Sequence, residues 1–125
     1  MTKEVVLTYN AVPPLTTFCE ICICSRATLD VRTIFTIVEG GVQGQTFAAL
    51  ENMGKVLKAA GSGLQHVVKA NVYLTNLTRD FSDMNTTYMT FFEENAMPAR
   101  TCVGVASLPL GASVEIECVA ELPDA

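Results

Sequence analysis

Basic side chains are scarce in this chain of 125 residues, in which eight Lys and Arg stand against thirteen Asp and Glu. The formal net charge is −5, and the basic residues are scattered along the sequence instead of forming a run. Domains that bind nucleic acid usually carry a basic patch or stripe that neutralises phosphates. The charge pattern therefore argues against nucleic acid as the main partner.

Long apolar runs are missing too, although half of the residues are hydrophobic. No run reaches the ~18 residues that a membrane helix needs. Residues 1–6 have neither the apolar core of a signal peptide nor the Arg-rich, acid-poor character of a transit peptide. We therefore expect a cytoplasmic protein with no membrane partner.

Charged residues make up only 17% of the chain, which is a small share for a protein of this size. The length fits a single domain, here residues 1–125, and so apolar a composition leaves surface that needs cover. Burial of that surface between identical copies is a common solution. The composition therefore predicts a homo-oligomer.

Cysteine occurs five times, an odd number that favours free thiols over a disulfide framework. Cys19, Cys22 and Cys24 form the run C-E-I-C-I-C, but a structural zinc site needs four ligands and a second pair is missing. We interpret them as small buried residues of a strand, with a metal or redox site as the alternative. We expect no metal and no cofactor.

Hydrophobic periodicity predicts the element order β, β, α, β, α, β, β. Strands are expected at residues 4–8, 18–25, 67–74, 99–106 and 113–120, and the stretch 26–39 is strand-like but ambiguous. Right-handed β-α-β crossovers place both helices on one face of a mixed sheet, in an α+β fold. The other face of the sheet then needs cover from another subunit.

Several side chains are assigned to a face by the same periodicity. In the strand 67–74, Val68 is expected on the buried face with Ala70. The first helix begins at Val42 and ends before Gly61, with Phe47 on its apolar side and Gln45 elsewhere. The second helix has Thr78 or Asp80 as its N-cap, and its apolar positions are expected at Phe81, Met84, Tyr88, Phe91 and Phe92.

A candidate site lies in the last two strands. Arg100 and Cys102 share one face of their strand, and Glu115 and Glu117 share one face of theirs. A guanidinium beside carboxylates at the edge of an apolar sheet suits a small substrate that carries a carboxylate. The alternative is a structural ion pair, on the sheet surface or between subunits, that joins Arg100 to Glu115 or Glu117. Glu117 is interpreted as a solvent-facing strand residue.

Short motifs, some of which contain the candidate site residues, extend over most of the chain. They are G-G-V-Q-G-Q-T, A-A-G-S, V-V-K-A-N-V-Y-L, N-T-T-Y, P-A-R-T-C-V and L-P-L-G-A-S-V-E-I-E, all between Gly40 and Ala120. They resemble the RidA (YjgF-like) family, in a eukaryotic-type member with an altered N-terminal hairpin. The resemblance implies the chorismate-mutase-like α+β fold and a homotrimer with clefts between neighbouring subunits. It also implies hydrolysis of small 2-imino acids to 2-keto acids and ammonia, without a metal or cofactor.

The resemblance also assigns roles to single residues. Arg100 corresponds to the arginine that binds the substrate carboxylate, and Glu115 to the acid that orients water. Cys102 and Asn85 correspond to further residues of the cleft. Phe18 stands where the family usually has a tyrosine, and the small Ser-Gly pair becomes Ser25 and Arg26. Arg26, in place of the glycine, puts a bulky cation on one wall of the cleft.

Two other functions stay open from the sequence. A non-catalytic trimer could use the same cleft to bind 2-keto or imino acids or to dock a partner. An RNA-cleaving translation inhibitor is the third possibility, which the acidic charge balance disfavours. The sole histidine, His66, is interpreted as a surface residue, so Cys102 has no evident base that would make it a nucleophile.

Overall fold

Two helices pack on one face of a four-stranded sheet in the computed structural model, which describes residues 39–123 in full. Three short strands before them are described for the backbone alone: β1 (Cys22–Cys24), β2 (Thr28–Asp30) and β3 (Ile34–Thr36). The remaining elements are α1 (Gly41–Ala59), β4 (Val67–Leu74), α2 (Leu77–Met89), β5 (Ala99–Gly104) and β6 (Val114–Ala120).

The sheet has the order β1-β6-β4-β5. Strand β5 runs parallel to β4, while β6 is antiparallel to both β4 and β1, so the sheet is mixed as predicted. Strands β2 and β3 pair with each other in a separate two-stranded sheet. The expected strand at residues 4–8 lies outside the described residues, and the ambiguous stretch 26–39 contains β2 and β3.

The core lies between the sheet and the helices. Ala70, Val72 and Leu74 of β4 are fully buried there, because they alternate towards the helices. They pack with buried side chains of β6 and of both helices, which are Val114, Ile116, Cys118, Leu50, Met53, Met84 and Tyr88. Among the described residues no helix is long and apolar enough to cross a membrane.

The expected placement of Val68 in the core is wrong. Val67 is buried and Val68 is 44% exposed, since the register between β4 and β6 shifts between Val67 and Lys69. Such an irregularity inserts one residue and moves the side chains before it to the opposite face. From Ala70 onward the predicted alternation holds.

Helix α1 also differs from its predicted amphipathic pattern. Phe47 is 52% exposed, whereas Gln45 is buried. The Gln45 amide bridges α1 to the start of β6: its Oε1 accepts a hydrogen bond from the Ser113 backbone N–H at 2.8 Å, and its Nε2 donates to Ser113 Oγ at 3.5 Å. A buried amide is tolerated because these groups pair with it.

The N-cap of helix α2 lies two residues before one predicted cap, Thr78, and four before the other, Asp80. The N-cap is Asn76, whose Oδ1 accepts a hydrogen bond from the Arg79 backbone N–H at 3.1 Å. Asp80, one of the two predicted caps, is instead a buried residue of the first turn. Its carboxylate accepts two hydrogen bonds from the neighbouring Arg79 guanidinium.

We expect Gln45→Ala to lower the free energy of unfolding by about 1–3 kcal/mol, because it leaves the Ser113 N–H without its partner and opens space at a buried position. Gln43→Ala is the matched control, since Gln43 is an exposed glutamine of the same helix. Urea unfolding measures both variants. Equal stabilities for the two would contradict a structural role of the Gln45 bridge.

Candidate functional site

The sheet register separates the predicted site residues into two groups. Arg100 and Cys102 pair with Ala70 and Val72 of β4 and therefore lie on the helix-covered face. Glu115 pairs with Tyr73, a residue of the opposite, helix-free face. The expectation that the guanidinium lies beside the carboxylates is thus wrong for a single copy of the chain.

Glu117 belongs to the helix-free face as well, since it pairs with Asn71. An ion pair between Arg100 and either glutamate therefore cannot form within one copy, because the sheet stands between them. A structural ion pair of Arg100 with either glutamate is therefore excluded within one copy, and the same pair between subunits stays open.

Arg100 is held by residues of α2. Its Nη1 donates a hydrogen bond to Asn85 Oδ1 at 2.7 Å. Its Cζ lies 4.6 Å from the centroid of the Tyr88 ring and 5.8 Å from that of Phe81. Because these three positions are four and three residues apart, they fall on one side of the helix.

All of these contacts are with neutral groups. Arg100 is half-buried, and within residues 39–123 no carboxylate lies within 4 Å of its guanidinium. A guanidinium has five N–H donors, of which the Asn85 amide accepts one. Within residues 39–123 the positive charge is therefore held in place without a neutralising carboxylate, and N–H donors remain that could bind a planar anion.

Cys102 is a half-buried thiol beside this guanidinium. Burial raises the pKa of Cys102 above its ordinary value, and the opposing effect of the Arg100 charge is the smaller one. His66 precedes β4 and lies six residues from Val72, the register partner of Cys102, which is about 20 Å along a strand. Cys102 therefore lines the site as a neutral thiol with no histidine base beside it.

Tyr88 forms the floor of the arginine site. Its side chain is fully buried, and its hydroxyl has no hydrogen-bond partner among the described residues. Burial raises the pKa of Tyr88 to about 12, so the phenol stays neutral at physiological pH. The ring offers Arg100 a π face and no competing charge.

The helix-free face carries a second polar group. Glu117 Oε1 accepts hydrogen bonds from Asn71 Nδ2 at 2.9 Å and from the Tyr73 hydroxyl at 2.7 Å. The interpretation of Glu117 as a plain solvent-facing residue is therefore wrong, because it is half-buried and bonded across the strands. Glu115 is half-buried on the same face and is also the register partner of Cys24 in β1.

Several site residues were missed by the sequence reasoning. Phe81 and Tyr88 were predicted only as apolar positions of α2, although their spacing from Asn85 already placed them on its side of the helix. Asn71 and Tyr73 alternate with the buried residues of β4, which predicts their common face but not their contact with Glu117.

Three of the residues assigned by resemblance, Phe18, Ser25 and Arg26, lie outside the described residues. The same holds for Cys19, while Cys22 and Cys24 are described only by the backbone of β1. The proposed wall of the cleft near the N-terminus therefore stays a prediction. Asn85, Arg100 and Cys102 are the predicted residues that the described structure brings together.

Several known proteins are similar to this chain in sequence and in fold. The chain is 45% identical over 108 residues to the human 2-iminobutanoate/2-iminopropanoate deaminase, with 77% of each chain covered. A solved Rid family protein of Yersinia pestis superimposes with a TM-score of 0.79 and 31% identity, covering 94% of this chain and 97% of its own. A solved Escherichia coli protein with bound serine gives 0.74 and 26%, covering 94% and 98%.

A sequence family described as Endoribonuclease L-PSP matches residues 29–122. This match spans most of the chain and includes α1, α2 and every strand of the sheet except β1. The chain therefore belongs to the Endoribonuclease L-PSP family, whose members include the RidA (YjgF-like) proteins.

Proposed function

We propose that this protein is a hydrolytic deaminase that converts small 2-imino acids, such as 2-iminobutyrate and 2-aminoacrylate in its imine form, to 2-keto acids and ammonia. The observation that carries the proposal is the half-buried Arg100, which is oriented by Asn85 and two aromatic rings and has no carboxylate within 4 Å among residues 39–123. A substrate carboxylate is the planar anion that such a fork binds in bidentate fashion. The name of the human relative supports the reaction.

The site requires two copies of the chain. Arg100 and Glu115 lie on opposite faces of one sheet, so a single copy cannot present both to one substrate. Two neighbouring copies can present both residues to one substrate. The sheet edge of one copy carries Arg100, Asn85 and Cys102, and the helix-free face of the next copy carries Glu115. We propose that this arrangement is repeated three times in a homotrimer, which also covers the exposed Val103 and Val119 of the helix-free face.

The proposed reaction follows from these positions. Arg100 holds the carboxylate and thereby places the C=N carbon near Glu115 of the next copy. Glu115 orients a water molecule and accepts its proton as the oxygen bonds to that carbon, and a positioned carboxylate of this kind contributes about a hundredfold or more. That proton passes to the imine nitrogen and gives a carbinolamine. Glu115 then moves the proton of the new hydroxyl to the amine, so that the C=O bond forms as the C–N bond breaks and ammonia leaves.

Two rival functions are weighed against this one. A trimer that only binds 2-keto or imino acids would use Arg100 in the same way, and the serine bound to the Escherichia coli relative shows that a family member accepts a ligand of amino-acid size. Cleavage of RNA is the activity in the family's description, but the net charge of −5 and the distance of the sole histidine from Arg100 disfavour it. The cytoplasmic location stays a prediction.

We expect Arg100→Ala to lower turnover by about a hundredfold or more while the chain stays folded, because a fork that holds the reacting molecule is lost. Ammonia release from an imine generated in situ measures it, with Arg100→Lys as a control that keeps charge without the bidentate geometry. RNA cleavage is assayed in parallel. If Arg100→Ala unfolds or dissociates the protein, Arg100 is a structural residue and the assignment fails.

We expect Asn85→Asp to raise KM about tenfold or more, because the new carboxylate would lie at 2.7 Å from Nη1 and neutralise the guanidinium. Asn85→Ala is the matched control, since it removes the same hydrogen bond without adding a charge. Thermal unfolding should show Asn85→Asp at least as stable as Asn85→Ala. An unchanged KM in the aspartate variant would show that no anion binds at Arg100.

Mixing two inactive variants tests the two-copy site. Arg100→Ala and Glu115→Gln are each expected to be inactive. A co-refolded equal mixture should regain about a quarter of the wild-type sites, because in about a quarter of them a Glu115→Gln chain supplies Arg100 and an Arg100→Ala chain supplies Glu115. The separately refolded variants are the control. No recovery in a mixture shown by mass to contain mixed oligomers would place both residues in one copy and contradict the arrangement.

A further inference from the structure

We propose that Tyr73 is a positioning residue for Glu115, the acid that orients water in the proposed reaction. Tyr73 is the register partner of Glu115, and a hydrogen bond from its hydroxyl to Glu117 holds its ring in one direction. The inference rests on the proposed function for the role of Glu115. It deepens that function by giving the two carboxylates of β6 different tasks, since Glu115 acts on water and Glu117 holds Tyr73.

The first step is the register of the helix-free face. Tyr73 and Glu115 pair with each other on the antiparallel strands β4 and β6. Side chains directly opposite each other in this way have Cβ atoms about 4.5–5.5 Å apart. Asn71 and Glu117 form the next pair on the same face, which lies about 7 Å further along the strands. The four side chains are therefore two adjacent cross-strand pairs.

The second step is the direction of the Tyr73 ring. Its hydroxyl donates a hydrogen bond at 2.7 Å to Oε1 of Glu117, a residue of the next pair and not of its own. The ring therefore crosses the diagonal between the two pairs, a span that aromatic side chains can reach. Because the ring occupies this space, rotamers of Glu115 that lean towards Glu117 are excluded.

The third step is the fixing of Glu117 itself. Asn71 Nδ2 donates to the same Oε1 at 2.9 Å, so one carboxylate oxygen accepts a bond from an amide and a bond from a phenol of β4. Hydrogen bonds to an ionised carboxylate are stronger than those between neutral groups, and all of these side chains are half-buried. The Tyr73 ring is therefore held by an acceptor that a second donor keeps in place.

A fixed direction of Glu115 matters for the chemical step more than for binding. The water that it orients must meet the C=N carbon, and a misplacement of about 1 Å can cost about a hundredfold in rate. Recognition of the substrate carboxylate is the task of Arg100, on the opposite face of the sheet. Loss of the Tyr73 hydroxyl should therefore lower kcat and leave KM and ligand affinity unchanged.

The chain offers matched variants for the test. Tyr73→Phe keeps the ring and removes the hydroxyl. Glu117→Ala removes the acceptor, whereas Glu117→Gln keeps an oxygen that can accept both bonds and removes the charge. Thr101→Val is the control, because it removes another cross-strand hydrogen bond of the same face, the one that Lys69 Nζ donates to Thr101 Oγ1 at 2.6 Å.

The test uses the full-length protein. Ammonia release from an imine generated in situ gives kcat and KM, ligand-detected NMR gives the affinity for the product 2-oxobutyrate, and light scattering gives the oligomer mass. Tyr73→Phe and Glu117→Ala should each lower kcat about tenfold or more, with 2-oxobutyrate affinity within about twofold of wild type. The combined variant should be no slower than either one alone, because both changes break the same bond. Glu117→Gln and Thr101→Val should keep kcat within about threefold of wild type.

The outcomes separate this proposal from the proposed function. A Tyr73→Phe variant with the kcat of wild type overturns the positioning role. Loss of 2-oxobutyrate affinity or dissociation into single chains overturns it too, since Tyr73 would then be a binding or packing residue. A Glu117→Gln variant as inactive as Glu115→Gln would make Glu117 a reacting acid instead of a holder of Tyr73.

The Glu115→Gln variant decides the proposed reaction separately. If it is inactive while Tyr73→Phe is fully active, this inference alone is refuted. If Glu115→Gln keeps its turnover, the water-orienting role of Glu115 is wrong and the inference falls with it.

Discussion

The two-sided character of β4 is the constraint on which the rest of the structure depends. This strand is hydrogen-bonded to β5 on one side and to β6 on the other, so its alternation sorts the side chains of all three strands. Ala70, Val72 and Leu74 point to the helices and build the core, while Asn71 and Tyr73 point away. That division decides which of the site residues lie on the same face of the sheet.

On the helix-covered face, the division puts a charged residue at the margin of the core. A half-buried guanidinium loses hydration, and an ion pair is one common way to offset this loss. Here the hydrogen bond that Arg100 donates to Asn85 and the π faces of Phe81 and Tyr88 hold Arg100 instead. Each such contact contributes modestly, and together they orient the guanidinium without a carboxylate partner among residues 39–123.

On the helix-free face, polar side chains of the same copy form hydrogen bonds with one another. Glu117 is bonded by Asn71 and Tyr73, and Lys69 Nζ donates to Thr101 Oγ1 at 2.6 Å. Beside them lie the exposed Val103 and Val119. In the proposed oligomer, a face with hydrogen-bonded polar groups and exposed apolar ones suits burial against another copy. Activity would then depend on assembly, because the proposed site is divided between chains.

The sequence by itself determined the family, both helices, the strands of the described sheet and the shared faces of Arg100 with Cys102 and of Glu115 with Glu117. These follow from local motifs and from periods of 2.0 and 3.6 residues, which any short segment displays. Only the tertiary structure decided that Arg100 and Glu115 face opposite sides, since period two relates residues within a strand and the register relates strands to each other. The same reason explains Gln45, Phe47 and Val68: a pattern shows that a segment has two sides, but the packing of its neighbours decides where the boundary between them falls.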